Sequence, residues 1–263
     1  MTSTVGISVT PVQKVFKRIA ELVRSNPRDP ATIPVHPVHG KTDTMGSIML
    51  AIKSRGTVEY GLKDALSIET APFSGEIAVE PPDIYQERIS QARESLKHGR
   101  RECWYLMCRR TVEDYVRHGT PSLDEDAAIT HLSATKANRL ARINNLLAMI
   151  ATGHYHIGLY DEPQRLWWGI YGPAEERLIL FQYYKDGPET GEFWGTRNQT
   201  IVALCEDLFK QLWDALPEQD KIDTAIVQWL ISLKDELPDL PDVSNRAYDA
   251  SSIVEWPWIF RMK

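Results

Sequence analysis

Between residues 83 and 216 the sequence alternates between segments with helical periodicity and segments with strand character. Asp83–Lys97 has apolar residues at helical spacing, and Glu102–Cys108 is a continuous apolar run of the kind that forms a strand buried on both faces. Thr135–Thr152 is the clearest amphipathic helix in the chain. This order is typical of an α/β fold, in which helices cross over between the strands of a sheet.

Three short strands and two further helices complete the pattern. We predict strands over Tyr155–Tyr160, Arg165–Tyr171 and Arg177–Tyr184, and helices over Asn198–Leu216 and Asp220–Leu237. Short turns favour antiparallel pairing and crossover helices favour parallel pairing. The sequence therefore predicts an α/β class with a mixed sheet packed between helices. The predicted buried face of the first of these two helices consists of Ile201, Leu204, Cys205, Leu208, Phe209 and Leu212.

The first 80 residues have a different character. Helices are predicted at 11–25, 44–55 and 58–66, with a proline-rich loop over 28–39 between the first two. Proline and glycine between residues 69 and 82 mark a boundary. We therefore predict a small, mainly helical N-terminal region over 1–80, either a helix-turn-helix or a linker. Residues 81–263 are predicted to be an α/β domain with a C-terminal helix and a docked tail.

The net charge of −6 is unevenly distributed. Residues 1–64 hold nine Lys/Arg and five Asp/Glu, whereas the remainder holds 21 Lys/Arg and 31 Asp/Glu. A basic segment attached to an acidic body is compatible with nucleic-acid contact through residues 1–64. The alternative is an ordinary solvated surface without such a partner.

Membrane and secretory signals are missing from the sequence. No segment approaches the roughly 18 apolar residues of a membrane span, and residues 1–10 lack the pattern of a signal peptide. The three cysteines, Cys103, Cys108 and Cys205, are interpreted as reduced core residues without a zinc site. We expect a cytoplasmic protein with no membrane association, no metal and no cofactor.

Residues 83–216 resemble one half of a phospholipase D-like domain. The resemblance rests on the order of a strand (ECWYLMC), a crossover helix (TKANRLARINNLLAMIATG), a strand (YHIGLY), two hairpin strands and a closing helix (IVALCEDLFKQLW). Active members of that superfamily carry a His-x-Lys motif, in which the histidine attacks phosphorus and the lysine neutralises phosphoryl oxygens. The corresponding strand here, Arg165–Ile170, reads RLWWGI and has neither residue. The resemblance therefore implies a catalytically degenerate domain, of the kind that binds ligands or dimerises.

Two histidine-containing segments are alternatives to this interpretation. His39 and Lys41 form a His-x-Lys in a proline-rich loop, and would act in a metal-independent phosphodiesterase or nuclease. His154 and His156 flank Tyr155 at the start of a strand and could meet a metal or phosphate, although a polar pair at a strand edge is the simpler interpretation.

Aromatic and basic residues are concentrated in the predicted hairpin strands and after them. Because side chains alternate along a strand, some of these rings must face away from the core, where arginines could help to hold a planar or anionic ligand. The predicted ligand- or partner-binding residues are Arg165, Trp167, Trp168, Tyr171, Arg177, Tyr183, Trp194 and Arg197. We expect a non-catalytic regulatory or interaction protein that binds a small ligand or a protein partner, with a homodimer as one form. The alternatives are the phosphodiesterase above and a scaffold subunit of a larger complex.

Overall fold

A computed structural model describes residues 15, 18, 19, 21, 32–35, 57–63, 66, 68–70, 82–118, 135–161, 166–183 and 192–239. These residues form a sheet and five α-helices. The strands are β1 (Thr32–Val35), β2 (Val58–Lys63), β3 (Glu102–Cys108), β4 (Tyr155–Tyr160), β5 (Leu166–Tyr171), β6 (Leu178–Tyr183) and β7 (Glu192–Thr196). The helices are α1 (Pro82–Lys97), α2 (Arg109–His118), α3 (Lys136–Ile150), α4 (Gln199–Ala215) and α5 (Asp223–Glu236). Short 3-10 helices lie at Ile68–Thr70, Ala174–Glu176, Glu218–Asp220 and Leu237–Asp239.

The described strands form one mixed sheet in the order β1-β7-β6-β5-β2-β3-β4. Strands β2, β3 and β4 are parallel to one another. Strand β5 is antiparallel to β2, and β5, β6, β7 and β1 pair antiparallel in turn. The parallel pairs follow helical crossovers and the β5–β6 pair follows a short turn, as the sequence predicts. The predicted mixed sheet is confirmed.

Helices cover both faces of this sheet. Alternate side chains of β2 to β6 join α4 in one core, which includes Leu62, Leu106 and Ile170. The intervening side chains of β3 and β4, such as Tyr105 and Ile157, join α1, α2, α3 and α5 in a second core. The predicted arrangement of a sheet between helices is therefore also confirmed.

The secondary structure of the N-terminal region differs from the prediction. The predicted helix at 58–66 is wrong, because Val58–Lys63 is strand β2, and the predicted loop at 28–39 contains strand β1. Strand β2 pairs with β3 on one side and β5 on the other, so its backbone groups are satisfied within the sheet. Such a tertiary environment overrides local propensity.

The two predicted regions, 1–80 and 81–263, share one sheet through β1 and β2. In the predicted helix at 11–25 the four described residues are helical, and Ile19 is buried. The predicted helix at 44–55 and the predicted docked tail lie outside the described residues.

Two glycines end helices where the sequence predicts it. Gly99 and Gly153 follow α1 and α3 with φ of 63° and 72°, the left-handed conformation that glycine adopts without steric cost. The amide of Gly99 donates to Leu96 O at 2.9 Å, and the amide of Gly153 donates to Ile150 O at 2.9 Å. These turns lead directly into β3 and β4.

The connection from α4 to α5 passes from one face of the sheet to the other around the outer edge of β4. Helix α4 belongs to the first core and α5 to the second. Gly158 on β4 provides the necessary space, because a Cβ there would lie 2.5 Å from Leu216 Cδ1. None of the described helices combines the length and the apolar character required to cross a bilayer.

Candidate functional site

Two of the predicted binding residues are core residues. Trp168 and Tyr171 are both 0 % exposed. Trp168 packs edge-on against Phe209 of α4, with ring centroids 5.9 Å apart. The Tyr171 ring covers Gly169, where an added Cβ would lie 2.3 Å from the phenol oxygen. Their side chains are therefore packed inside the protein rather than presented to a ligand at the surface.

The predicted residues Arg177 and Arg197 lie close together beside α4. The side-chain amide of Gln199 donates to the carbonyl oxygens of both, at 3.1 Å and 3.0 Å. Arg177 is half-buried and forms an ion pair with Glu206, whereas Arg197 is exposed. The structure thus brings these two arginines together at the start of α4.

Arg177 also contacts the ring of Tyr60, a residue that was not among the predicted binding residues. Its guanidinium lies over the ring of Tyr60 at 5.9 Å, and the Lys210 ammonium lies 5.8 Å from the same centroid. Glu206 pairs with both cations, at 3.4 Å from Lys210. Burial, followed by the charge of Glu206, raises the pKa of the Tyr60 phenol, so this hydroxyl is a hydrogen-bond donor rather than a nucleophile.

The other predicted residues are described only in part or not at all. The backbone of Trp167 is opposite Gln182, Tyr183 is opposite Leu166, and Trp194 is opposite Phe181. Phe181 of β6 is opposite Trp168 of β5 and also opposite Trp194 of β7, so the backbones of these three residues form one row across the strands. Arg165, His39 and Lys41 lie outside the described residues.

An aromatic row crosses the parallel half of the sheet. Tyr60, Trp104 and His156 are register neighbours on β2, β3 and β4. The Trp104 ring stacks on His156 at 4.1 Å and meets the edge of Trp213 at 4.9 Å. The sequence pattern drew attention to His156 but not to this row, because β2 was predicted to be helical. The row becomes evident only when the pairing of β2, β3 and β4 is known.

His156 lies between two carboxylates. Its Nε2 is 3.5 Å from Glu102 Oε1, and its Nδ1 is 3.7 Å from Asp223 Oδ2. His154 lies elsewhere, against Gly99 at the end of α1. The two histidines therefore have different surroundings and do not form one site. No group of three or more metal-ligating side chains occurs among the residues that the structure describes.

A buried ionic cluster lies on the opposite side of β2. Arg101 donates to Glu59 Oε1 at 3.1 Å and to Glu69 Oε2 at 2.5 Å, and all three residues are 0 % exposed. The Tyr105 hydroxyl donates to Glu59 Oε2, and burial raises the pKa of this phenol well above its usual value. Although burial alone disfavours a charged guanidinium, nearby Cys103, Glu59 and Glu69 raise the pKa of Arg101. The cluster is closed to solvent.

The same region holds the chain that follows β2. Arg93 Nε donates to Glu69 O at 2.7 Å. Arg142 donates to Thr70 Oγ1 at 3.0 Å and to Leu66 O at 2.9 Å, and Asn145 donates to Thr70 O at 2.9 Å. Side chains of α1 and α3 therefore attach Leu66, Glu69 and Thr70 to the body of the protein. These long-range contacts were not predicted.

The three cysteines are buried, and none of them forms a disulfide. Burial raises the pKa of the Cys205 thiol from 9.0 to about 12, so the thiol stays protonated at neutral pH. A nucleophilic cysteine has the opposite property, a lowered pKa in an accessible setting.

Comparisons with known proteins identify no family. No family model matches the sequence, and no curated protein sequence matches it. Among solved structures, TrmBL2, an archaeal chromatin protein described as showing a novel mode of DNA binding, aligns with a TM-score of 0.38 and 13 % sequence identity. The alignment covers 80 % of this chain and 64 % of that chain, which is less than two thirds of its length.

Proposed function

We propose that this protein is a non-catalytic regulatory or interaction protein whose α/β body is a degenerate phospholipase D-like domain. Strand β5 supports the proposal, because the sequence resemblance matches it to the strand on which an active domain of this kind carries its histidine and lysine. The described part of this strand reads LWWGIY. Neither tryptophan nor glycine can attack phosphorus or neutralise a phosphoryl oxygen.

The packing around β5 supports the same proposal. On one face Trp168 contacts Phe209, and on the other the ring of Tyr171 covers Gly169. Both faces are therefore filled by side chains of the strand or of α4 at these positions. A reacting phosphodiester would need open space there and at least one charged group.

A phosphodiesterase assay tests the proposal directly. The full chain is incubated with bis(4-nitrophenyl) phosphate in the presence of EDTA, and His39→Ala is the matched variant. We expect no hydrolysis above the buffer rate from either protein. Hydrolysis by the natural protein that His39→Ala abolishes would overturn the proposal and support the alternative in which His39 and Lys41 are catalytic.

The partners in this proposal are a ligand or protein at the body, a second copy of the chain, and nucleic acid at the basic residues 1–64. Light scattering after size exclusion distinguishes a monomer from a homodimer. Fluorescence anisotropy with labelled duplex DNA at two salt concentrations tests the nucleic-acid contact, because binding to phosphates weakens steeply with salt. Binding that is independent of salt would contradict a contact made by these basic residues.

A further inference from the structure

One face of the antiparallel half of the sheet is buried, although neither of the two described cores includes it. Alternate side chains of β5 and β6 join the core beneath α4, so the side chains between them point to the opposite face. On that face Tyr171, Leu178 and Leu180 are 0 %, 7 % and 3 % exposed. The second core, which α1, α2, α3 and α5 form with β3 and β4, contains none of these three. Their burial indicates a further element on this face.

The order of the strands shows which part of the chain reaches this face. Four antiparallel pairings lead from β1 through β7, β6 and β5 to β2, so β1 and β2 are parallel to each other. Residues 36–57 join these two strands and pass the three strands between them. A connection between parallel strands is a crossover on one face of the sheet, and a helix usually provides it.

The handedness of crossovers selects the face. The connections from β2 to β3 and from β3 to β4 run in the same direction across the sheet as the connection from β1 to β2. Their helices, α1 and α3, lie on the face opposite α4. Crossovers between parallel strands of one sheet are almost always right-handed, so three crossovers with the same strand direction and the same order share one face. Residues 36–57 are therefore expected on the face that holds Tyr171, Leu178 and Leu180.

The sequence of this connection suits that position. Within the helix predicted at 44–55, one apolar stripe has spacings of three and four residues and consists of Met45, Ile48, Met49 and Ile52. Gly195 of β7 lies opposite Leu180 of β6 and therefore on the same face. A glycine in a strand lets another backbone approach closely. The face thus combines buried apolar side chains with room for a helix.

We propose that residues 44–55 form a helix that packs its apolar stripe on this face of β5, β6 and β7. This packing is independent of the proposed lack of catalysis. It gives the second face of the antiparallel strands to the chain itself, so that a ligand or a second copy binds at another surface. The exposed Arg197 and the neighbouring Arg177, at the start of α4, lie on such a surface.

Photo-crosslinking of the full chain tests this position. The protein is produced with photo-methionine, a diazirine analogue close in size to methionine, then irradiated and digested, and mass spectrometry identifies the linked peptides. We expect links from Met45 or Met49 to β5 or β6. The variant with Met45→Leu and Met49→Leu loses these links. Met107, which is 1 % exposed in the second core, is the internal control for crosslinking inside the fold.

Three results would overturn the proposal. The first is links from Met45 and Met49 to α4 alone, and the second is no links from them while Met107 is crosslinked. The third is links that join only different chains in a mixture of isotope-labelled and unlabelled protein, because a second copy would then occupy the face.

Thiol labelling provides a second measurement. Ile48→Cys lies on the apolar stripe and is expected to react with a maleimide roughly ten-fold more slowly than Leu50→Cys, which lies off the stripe, because a buried thiol reacts only after local opening. Equal rates for the two variants would contradict the packed helix.

Discussion

The phenol of Tyr105 on β3 donates a hydrogen bond to Glu59 on β2, and neither side chain reaches solvent. This bond links two adjacent parallel strands of the sheet. A shift of β2 by one residue would move Glu59 to the other face, into the apolar core beneath α4. The buried pair therefore specifies the register of a strand that local sequence does not identify as a strand.

Removing Arg101 is expected to destabilise the protein strongly. Arg101→Met leaves the carboxylates of Glu59 and Glu69 buried without their shared cation. Loss of one partner from a buried ion pair costs about 3–5 kcal/mol. Urea denaturation followed by circular dichroism measures the free energy of unfolding. Arg100→Met changes the exposed neighbouring arginine and is expected to alter stability by less than about 0.5 kcal/mol. Equal effects of the two substitutions would show that the ionic cluster does not stabilise the fold.

A methyl group at Gly158 is expected to clash with the side chain of Leu216, where the connection from α4 to α5 begins. In Gly158→Ala the new Cβ would lie 2.5 Å from Leu216 Cδ1 and 2.9 Å from Leu106 Cδ2. Overpacking of this kind costs about 1–3 kcal/mol. If the clash is the cause, adding Gly158→Ala to a Leu216→Ala background costs less than adding it to the natural protein. A double-mutant cycle measured by urea denaturation tests this, and simple additivity would contradict it.

Two leucines of α4 are expected to respond differently to truncation. Leu212 is 6 % exposed and lies in the core, whereas Leu204 is 47 % exposed. Leu212→Ala is therefore expected to lower the free energy of unfolding by about 2–5 kcal/mol. Leu204→Ala is expected to change it by about 0.5 kcal/mol or less. Urea denaturation of the two variants under one set of conditions makes the comparison, and equal losses would contradict the exposure of Leu204.

Leu204 also shows a limit of helical periodicity. The sequence placed this residue on the buried face of α4, and that prediction is wrong. Spacing of three and four residues identifies the centre of an apolar stripe, where Cys205, Phe209 and Leu212 are indeed buried. The width of the buried stripe depends on the strands beneath the helix, and the spacing of apolar residues in the sequence does not reveal how these strands are placed.

The hydrophobic pattern predicted strand bounds most accurately in the parallel half of the sheet. The predicted bounds of β3 and β4 are confirmed to the residue, because an apolar run between polar residues or turns has clear ends. Strand β2 was not predicted, because Val58–Lys63 contains Glu59 and Gly61, which are residue types that are uncommon in strands. Both residues fit here because β2 lies beside Tyr105 of β3. The ionic cluster was missed for a related reason, since its members come from β2, the chain after β2 and the start of β3.

The buried thiol of Cys205 predicts a loss of stability in alkali. Burial raises the pKa of Cys205 from 9.0 to about 12 in the folded protein. Above about pH 9 the unfolded chain releases a proton that the folded chain retains, so the free energy of unfolding falls by at most about 1.4 kcal/mol per pH unit from this group. Below pH 8 both states keep the proton and the contribution is constant.

Cys205→Ala removes this contribution, while the buried phenol of Tyr105 still destabilises the fold at higher pH. Urea denaturation at pH 8, 9 and 10 should therefore give a steeper decline for the natural protein than for Cys205→Ala. Parallel declines would mean that the thiol ionises in the folded state as readily as in the unfolded chain.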